Sequence, residues 1–332
     1  MLAFAARRML AVIPVLLFLT ALIFVLNHLS PVDPARAELC PQAPEAALVK
    51  LRHELWLDRP LPQQYVHYLD RLVLHGDLGF SARTQRPVTT DLRTAVPATA
   101  ELALSALGLA IVLGLVLGLA SAGKRRGAGV FRFVMVGGSS APAFLLAIGG
   151  ILLFYSKLGW LPATGRTGYD NAPTGPTGLL LVDSLVAGRP EVFGDAITHL
   201  LMPAFCVALL PAVAIGRVLR SSLITTLSSD YIRTARSKGL SEGTILFRHA
   251  LRNALGPGLA MTGLQTGLMF AGVVVVETVF AWPGIGLYAE QAIPVGDFPA
   301  IAAVTLVIGI AYVIINGIVD ILQAVADPRI RL

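Results

Sequence analysis

The sequence predicts an all-α membrane protein with six transmembrane helices, and three observations support that fold class. Of the 332 residues, 55% are hydrophobic and only 14% are charged, whereas ordinary soluble domains carry about 25% charged residues. Six apolar stretches have, or nearly have, the length of about 20 residues that lets a helix cross a bilayer. Basic residues are concentrated in alternate connecting segments. The composition excludes a soluble domain, a coiled coil and a disordered chain.

The six predicted spans divide the chain into short inner and long outer segments. They are Met9–Leu29, Thr99–Ala122, Phe133–Tyr155, Leu200–Val218, Leu259–Trp282 and Ala302–Ala324. The first apolar run is longer than the 7–15 residues of a cleaved signal-peptide core, so residues 1–30 are expected to remain as an N-terminal helix. The fourth span contains Pro203 and Pro211, which membrane helices tolerate because neighbouring groups satisfy the freed backbone.

The distribution of charge predicts that both termini are cytoplasmic. Segments on the side of the N-terminus hold 15 basic and three acidic residues, while those on the other side hold 11 basic and 14 acidic residues. Cytoplasmic loops of membrane proteins are enriched in lysine and arginine, so the side of the N-terminus is the cytoplasm. The net charge of +6 reflects this asymmetry and not nucleic-acid binding, since no basic stripe alternates with aromatic residues.

Two of the predicted outer segments are large. Residues 31–96 contain leucines and tyrosines at three- and four-residue spacing, which predicts short helices interrupted at Pro60 and Pro62. Residues 156–197 are rich in glycine and proline, which predicts an irregular loop. A core over residues 97–324 and a cytoplasmic tail over residues 325–332 complete the expected organisation.

No motif for bond chemistry is present in the sequence. The phosphate-binding pattern GxxxxGK[ST] and the metalloprotease pattern HExxH are absent, and the six histidines are scattered. The letters GxSxG occur at Gly239–Gly243, but the sequence before them is a helical segment and not the strand that the hydrolase motif requires. Cys40 and Cys206 lack the spacing of a metal site. We therefore expect no catalytic residue, no metal and no ATP hydrolysis by this chain alone.

The inner segment of residues 219–257 carries the most informative pattern. Asp230 can act as the N-cap of a short helix, and Gly239 suits the left-handed position that ends one. Ser241 can then cap the helix that continues into the fifth span. A small-residue face at Ala235 would permit close approach by another protein. On physical grounds alone, a lever for a partner and an ordinary basic loop both remain open.

This segment resembles the ATPase-coupling loop, or EAA motif, of binding-protein-dependent ABC importers of the dipeptide, oligopeptide and nickel branch. Arg233-Thr234-Ala235 with Gly239 stands where that branch carries its motif, and His249 to Ala254 matches its next signature. The resemblance covers nearly the whole chain. It includes Leu57–Pro60, His75–Gly79, Glu277–Gly284, Asp327–Arg331 and, as in the outer-loop insert of B-type dipeptide permeases, Pro176 to Asp195.

The resemblance implies a type I importer permease in the inner membrane of a bacterium. Its partners would be a homologous C-type permease subunit, two ATPase subunits that bind ATP and magnesium, and an extracytoplasmic solute-binding protein. This chain itself would bind no cofactor. The residues expected to couple it to the ATPases are Tyr231, Arg233, Thr234, Ala235, Lys238, Gly239, Leu240 and Ser241.

Three further residues are candidates for the translocation path or an outer gate: Glu277, Trp282 and Gln265. A carboxylate in hydrocarbon is costly, so Glu277 should face protein or water. It could contact the amino end of a peptide, or it could support the Trp282-Pro283-Gly284 corner, and the sequence leaves both open. Glu101 and Asp320 stand near span ends and are expected to be solvated.

The expected cargo is a dipeptide or another short peptide. Oligopeptides, nickel chelates, glutathione and haem remain alternatives, because selectivity would reside mostly in the separate binding protein. A standalone channel or secondary carrier is a more distant alternative. A secondary carrier should show inverted repeats, and the sequence shows no clear internal repeat.

Overall fold

The computed structural model describes residues 2–29, 35, 44–122, 129–131, 133, 137 and 142–326. Within them the chain is mainly helical. The helices are α1 Leu2–Leu29, α2 Glu45–Glu54, α3 Leu61–Leu74, α4 Val88–Ala122, α5 Ala143–Lys157, α6 Leu180–Val186, α7 Pro190–Leu227, α8 Asp230–Ser237, α9 Glu242–Val279, α10 Ile285–Ala292 and α11 Phe298–Ala326. Two short strands, β1 Phe80–Ser81 and β2 Arg86–Pro87, pair antiparallel before α4.

Four helices are long and apolar enough to cross a membrane, counting only the described residues. They are Val88–Ala122, Pro190–Leu227, Glu242–Val279 and Phe298–Val319. Ile13–Leu26 and Ala143–Lys157 are shorter apolar helices. The mainly helical membrane character is therefore confirmed, whereas the predicted number of six spans is not. Residues 134–136 and 138–141 of the predicted third span, most of the first inner loop, Cys40 and the tail from residue 327 onward lie outside the described residues.

Two of the spanning helices begin earlier than the apolar pattern predicted. α4 begins at Val88 rather than at Thr99, and α7 begins at Pro190 rather than at Leu200. The added turns are amphipathic, so a search for a continuously apolar run misses them. Val88 and Leu92 are buried at the four-residue spacing of one helix face. The predicted break is confirmed at Pro60, the N-cap of α3, whereas Pro62 lies in the first turn of that helix.

The chain forms two compact units. One comprises Met1–Thr99, Pro176–Gly178 and Pro283–Ala311, and the other comprises Ala100–Gly175, Leu179–Trp282 and Tyr312–Leu332. In the first unit, the start of α4 packs with α10 and the start of α11. The core of this packing consists of Val88, Leu92, Ala95, Ile285, Tyr288, Ala292, Ala300, Ala303 and Val304.

A buried carboxylate joins the β-hairpin to α11 within the first unit. Asp297 is fully buried. It accepts hydrogen bonds from the Ser81 hydroxyl, from the Arg83 N–H at 3.1 Å and from the Ala300 N–H at 3.3 Å. The last of these caps the N-terminus of α11, where a carboxylate also meets the positive end of the helix dipole. Sequence inspection gave Asp297 no partner.

Replacing Asp297 with alanine should destabilise the first unit by about 2 kcal/mol, because it leaves buried N–H donors without an acceptor. Thermal unfolding of the purified protein in detergent measures the effect. Asp297→Asn keeps one acceptor oxygen and should lose less. Asp70→Ala, at an exposed carboxylate of α3, is the control and should leave the midpoint unchanged. Equal midpoints for the Asp297 and Asp70 variants would contradict the proposed role.

Helices of the second unit approach closely through small residues. A Cβ added to Gly114 of α4 would lie 2.8 Å from Cγ2 of Ile215 in α7, and one added to Gly118 would lie 2.9 Å from Cδ2 of Leu219. From the other side, a Cβ on Gly216 would lie 3.1 Å from the Gly114 carbonyl oxygen. Membrane helices use small residues in this way to bring backbones together.

Candidate functional site: the segment between α7 and α9, and a neighbouring cavity

The start of α8 lies one residue earlier than the sequence predicted. Ser229 occupies the N-cap position with an extended backbone, and Asp230 is the first helical residue. The prediction of Asp230 as N-cap is therefore wrong. The Ser229 hydroxyl donates to the Thr226 carbonyl at 2.6 Å and does not cap the helix. Asp230 instead pairs with Arg233 at 3.2 Å, one turn along.

The end of α8 is a Schellman motif. Gly239 has φ +78°, as predicted for a left-handed C′ residue. Its N–H donates to the Arg236 carbonyl at 2.9 Å, and the Leu240 N–H donates to the Ala235 carbonyl at 3.3 Å, which is the bonding pattern of this motif. The predicted cap at Ser241 is also confirmed, because its side chain accepts the Thr244 N–H at 3.3 Å.

One face of α8 packs against α7 and α9 within the second unit. Ile232 and Ala235 are buried and pack in a cluster with Leu219, Leu223, Ile245, Ala250 and Ala254. The expectation that the Ala235 face would receive another protein is therefore wrong. Ala235 stands three residues after Ile232, so both side chains point to the same side of the helix.

The other seven predicted coupling residues remain exposed. They are Tyr231, Arg233, Thr234, Lys238, Gly239, Leu240 and Ser241. The segment thus has an inner face fixed by apolar packing and an outer face of polar groups around a tight turn. Such a helix can receive a partner and pass a displacement to the helices beneath it.

Two side-chain contacts that sequence inspection missed brace this segment. The Arg236 guanidinium donates to both carboxylate oxygens of Glu242, at 2.7 and 3.2 Å. The Asn253 amide donates to the Tyr231 hydroxyl at 2.8 Å. The first contact bridges the Gly239 turn, and the second joins α8 to α9.

The three path candidates do not lie at one site. Glu277 is fully buried, and Trp282 is 1% exposed, so neither presents a surface to cargo in this chain. The main chain at this corner is closed by the Trp282 N–H, which donates to the Glu277 carbonyl at 2.8 Å. Gln265, in contrast, lines an open cavity.

This cavity is formed by α5, α7 and α9 and has a volume of about 530 Å³. Its wall includes Ala143, Leu210, Met269 and Gly272, together with Gln265 and Arg217. Sequence inspection counted Arg217 only as an inner basic residue. Arg217 stands on a mainly apolar cavity wall, and a count of basic residues on each side of the membrane does not reveal this position.

A buried ion pair lies elsewhere in the second unit. Arg166 donates to Glu101 at 2.5 Å, and their side chains are 15% and 5% exposed. Glu101 also accepts the Leu181 N–H at 2.7 Å. The Arg166 guanidinium lies 5.6 Å from the Trp282 ring centroid. The expectation that Glu101 is solvated is therefore wrong, because the irregular loop that carries Arg166 folds back over it.

Comparison with protein families matches both parts of the chain. Residues 110–332 match the model of the binding-protein-dependent transport system inner membrane component. Residues 1–103 match the N-terminal model of the membrane component of the same transport systems. The first match includes α8, the turn at Gly239 and the cavity.

Curated relatives are similar over the whole chain. A dipeptide transport system permease protein of Alkalihalophilus pseudofirmus is 39% identical over 333 residues, covering 100% of both chains. A probable D,D-dipeptide transport system permease protein of Escherichia coli K12 is 43% identical over 92% of this chain and 91% of its own length. A glutathione transport system permease protein of Pectobacterium atrosepticum is 34% identical over 100% of this chain and 99% of its own length.

The helical membrane fold, the exposed turn-ended helix between α7 and α9 and these full-length similarities lead to one assignment: the chain belongs to the family of inner membrane permease components of binding-protein-dependent ABC importers.

Proposed function

We propose that this chain forms half of the translocation path of an ATP-driven importer of dipeptides. The observation that carries the proposal is the two-faced α8, seated by Ile232 and Ala235 and exposed on its other face. The dipeptide cargo rests on relatives at 39 and 43% identity that are named for dipeptide transport. Glutathione, itself a short peptide, is the second candidate because of the relative at 34% identity.

The proposed topology has six spans with both termini in the cytoplasm. The four long apolar helices and the two shorter ones support this count, and the excess of basic residues on one side supports the orientation. In this arrangement α8 lies in the cytoplasm and α2, α3 and α6 lie outside. The domain boundaries at residues 30, 96 and 324 belong to the same proposal.

The proposed partners are a second permease subunit, two ATPase subunits and a solute-binding protein. The ATPases would hold ATP and magnesium, while this chain binds no cofactor. Their closure would push the exposed face of α8. Because α8 packs on Leu219 and Leu223 of α7 and on Ala250 and Ala254 of α9, both helices would move with it. Transport and ATP hydrolysis are then two events coupled through one two-state element.

Reconstitution tests this function. The purified chain, its C-type partner, the two ATPases and the binding protein should together accumulate a labelled dipeptide in vesicles when ATP is present. Omitting any one component should abolish uptake. Uptake by this chain alone, without ATP, would identify a carrier or channel. A preference for glutathione over dipeptides would move the cargo assignment to the second candidate.

A further inference from the structure

The cavity between α5, α7 and α9 has one charged residue among the described residues that line it. Arg217 provides this charge, and Gln265 provides an amide; apart from the thiol of Cys206, the other wall side chains are aliphatic, thioether or absent. Arg217 is exposed. Ionisable residues within membrane helices face a bundle interior or a water-filled cavity and mark solute pathways.

Among the residues that line the cavity, Arg217 is the one of α7 and Gln265 the one of α9 nearest in sequence to α8. Arg217 precedes the end of α7 at Leu227 by 10 residues, or about 15 Å of helix. α8 follows immediately, so Arg217 lies on the α8 side of the cavity. Cys206, also on the wall, is three turns further from α8. The charge is thus placed at the end of the cavity that is cytoplasmic in the proposed topology.

We propose that Arg217 receives the carboxylate of the cargo as it crosses toward the cytoplasm, which restricts the substrate class to solutes with a free carboxylate. A guanidinium matches the planar geometry of a carboxylate and donates two parallel hydrogen bonds to it. The amide of Gln265 can donate to or accept from the peptide group next to that carboxylate. The apolar remainder of the wall tolerates different side chains. This inference rests on the proposed importer function.

Three substitutions test the role of the charge in the complete importer. The complex is reconstituted with its binding protein in vesicles of zwitterionic lipid only, and dipeptide molecules transported per ATP hydrolysed are measured. Arg217→Gln should lower this ratio at least fivefold, and Arg217→Glu should lower it further. Arg217→Lys keeps the charge but loses the paired donors, and its ratio should lie between those of the wild type and Arg217→Gln. Arg86→Gln, at an exposed arginine of β2, removes the same charge elsewhere and should have no effect.

The outcomes separate this inference from the proposed function. A wild-type complex that carries no dipeptide overturns the proposed function and the inference with it. A wild-type complex that carries dipeptide while Arg217→Gln is equally active overturns the inference alone. Equal losses in Arg217→Lys and Arg217→Gln would make the residue a packing element, which also overturns it. An effect that appears only after anionic lipid is added would assign Arg217 to a lipid headgroup and overturn it as well.

Discussion

Gly239→Val is expected to lower ATP-dependent uptake more than tenfold while leaving the membrane helices folded. Gly239 has φ +78°, and the left-handed region costs about 1–2 kcal/mol for a residue with a Cβ and more for a β-branched one. The Schellman bonds at Arg236 and Ala235 would break, and the Ser241 cap that follows would be displaced. The exposed face of α8 would then lose the shape that a partner receives.

Gly243→Val is the matched control for this prediction. A Cβ added to Gly239 or to Gly243 meets no atom within 4 Å, so steric crowding is the same at both sites. Gly243 lies within α9 and is without a positive φ, so valine is tolerated there at the ordinary cost of helix propensity. Uptake in vesicles and ATPase stimulation by the loaded binding protein are the measurements. Equal activity of both variants would show that the left-handed turn has no part in coupling.

Glu101→Gln is expected to destabilise the second unit by about 3 kcal/mol, since breaking a buried ion pair leaves the other charge uncompensated. Arg166 would keep its place over the Trp282 ring but lose the carboxylate 2.5 Å away. The irregular loop that carries Arg166 should then open. Protease cleavage within residues 158–179 and thermal unfolding in detergent both report this change.

The double variant Glu101→Gln with Arg166→Met tests whether the lost stability comes from leaving the Arg166 charge without its partner. Removing both charges from a buried pair is often nearly neutral, so the double variant should recover most of the stability lost by the single one. Glu191→Gln is a control, because Glu191 forms an exposed pair with Arg189, and exposed pairs contribute little. A single variant as stable as wild type would show that the Glu101 charge is dispensable.

Local chemistry made parts of the fold predictable. The helix before Gly239 and the cap at Ser241 depend on residues within one or two turns of each other, so a short stretch of sequence contains the whole signal. The same is true of the break at Pro60. The inward direction of Ala235 could also have been predicted from the sequence, because a spacing of three from Ile232 places both residues on one apolar face of the helix.

Other contacts depend on residues far apart in the chain and leave no local pattern. Glu101 meets Arg166 across 65 positions, and Asp297 meets Ser81 across 216. Each acidic residue looked like an ordinary polar side chain in its own neighbourhood. Arg217 was missed for a different reason, because a count of basic residues by side of the membrane does not distinguish a loop arginine from one on a cavity wall.

The glycine contacts between α4 and α7 affect how a displacement of α8 would be transmitted to the other helices of the proposed importer. A Cβ added at Gly114, Gly118 or Gly216 would come within 2.8–3.1 Å of atoms of the opposite helix, so these three points leave no space for a larger side chain. We therefore expect α4 and α7 to move together. In the proposed importer, a displacement of α8 would therefore reach α4 mainly as a joint reorientation of α4 and α7.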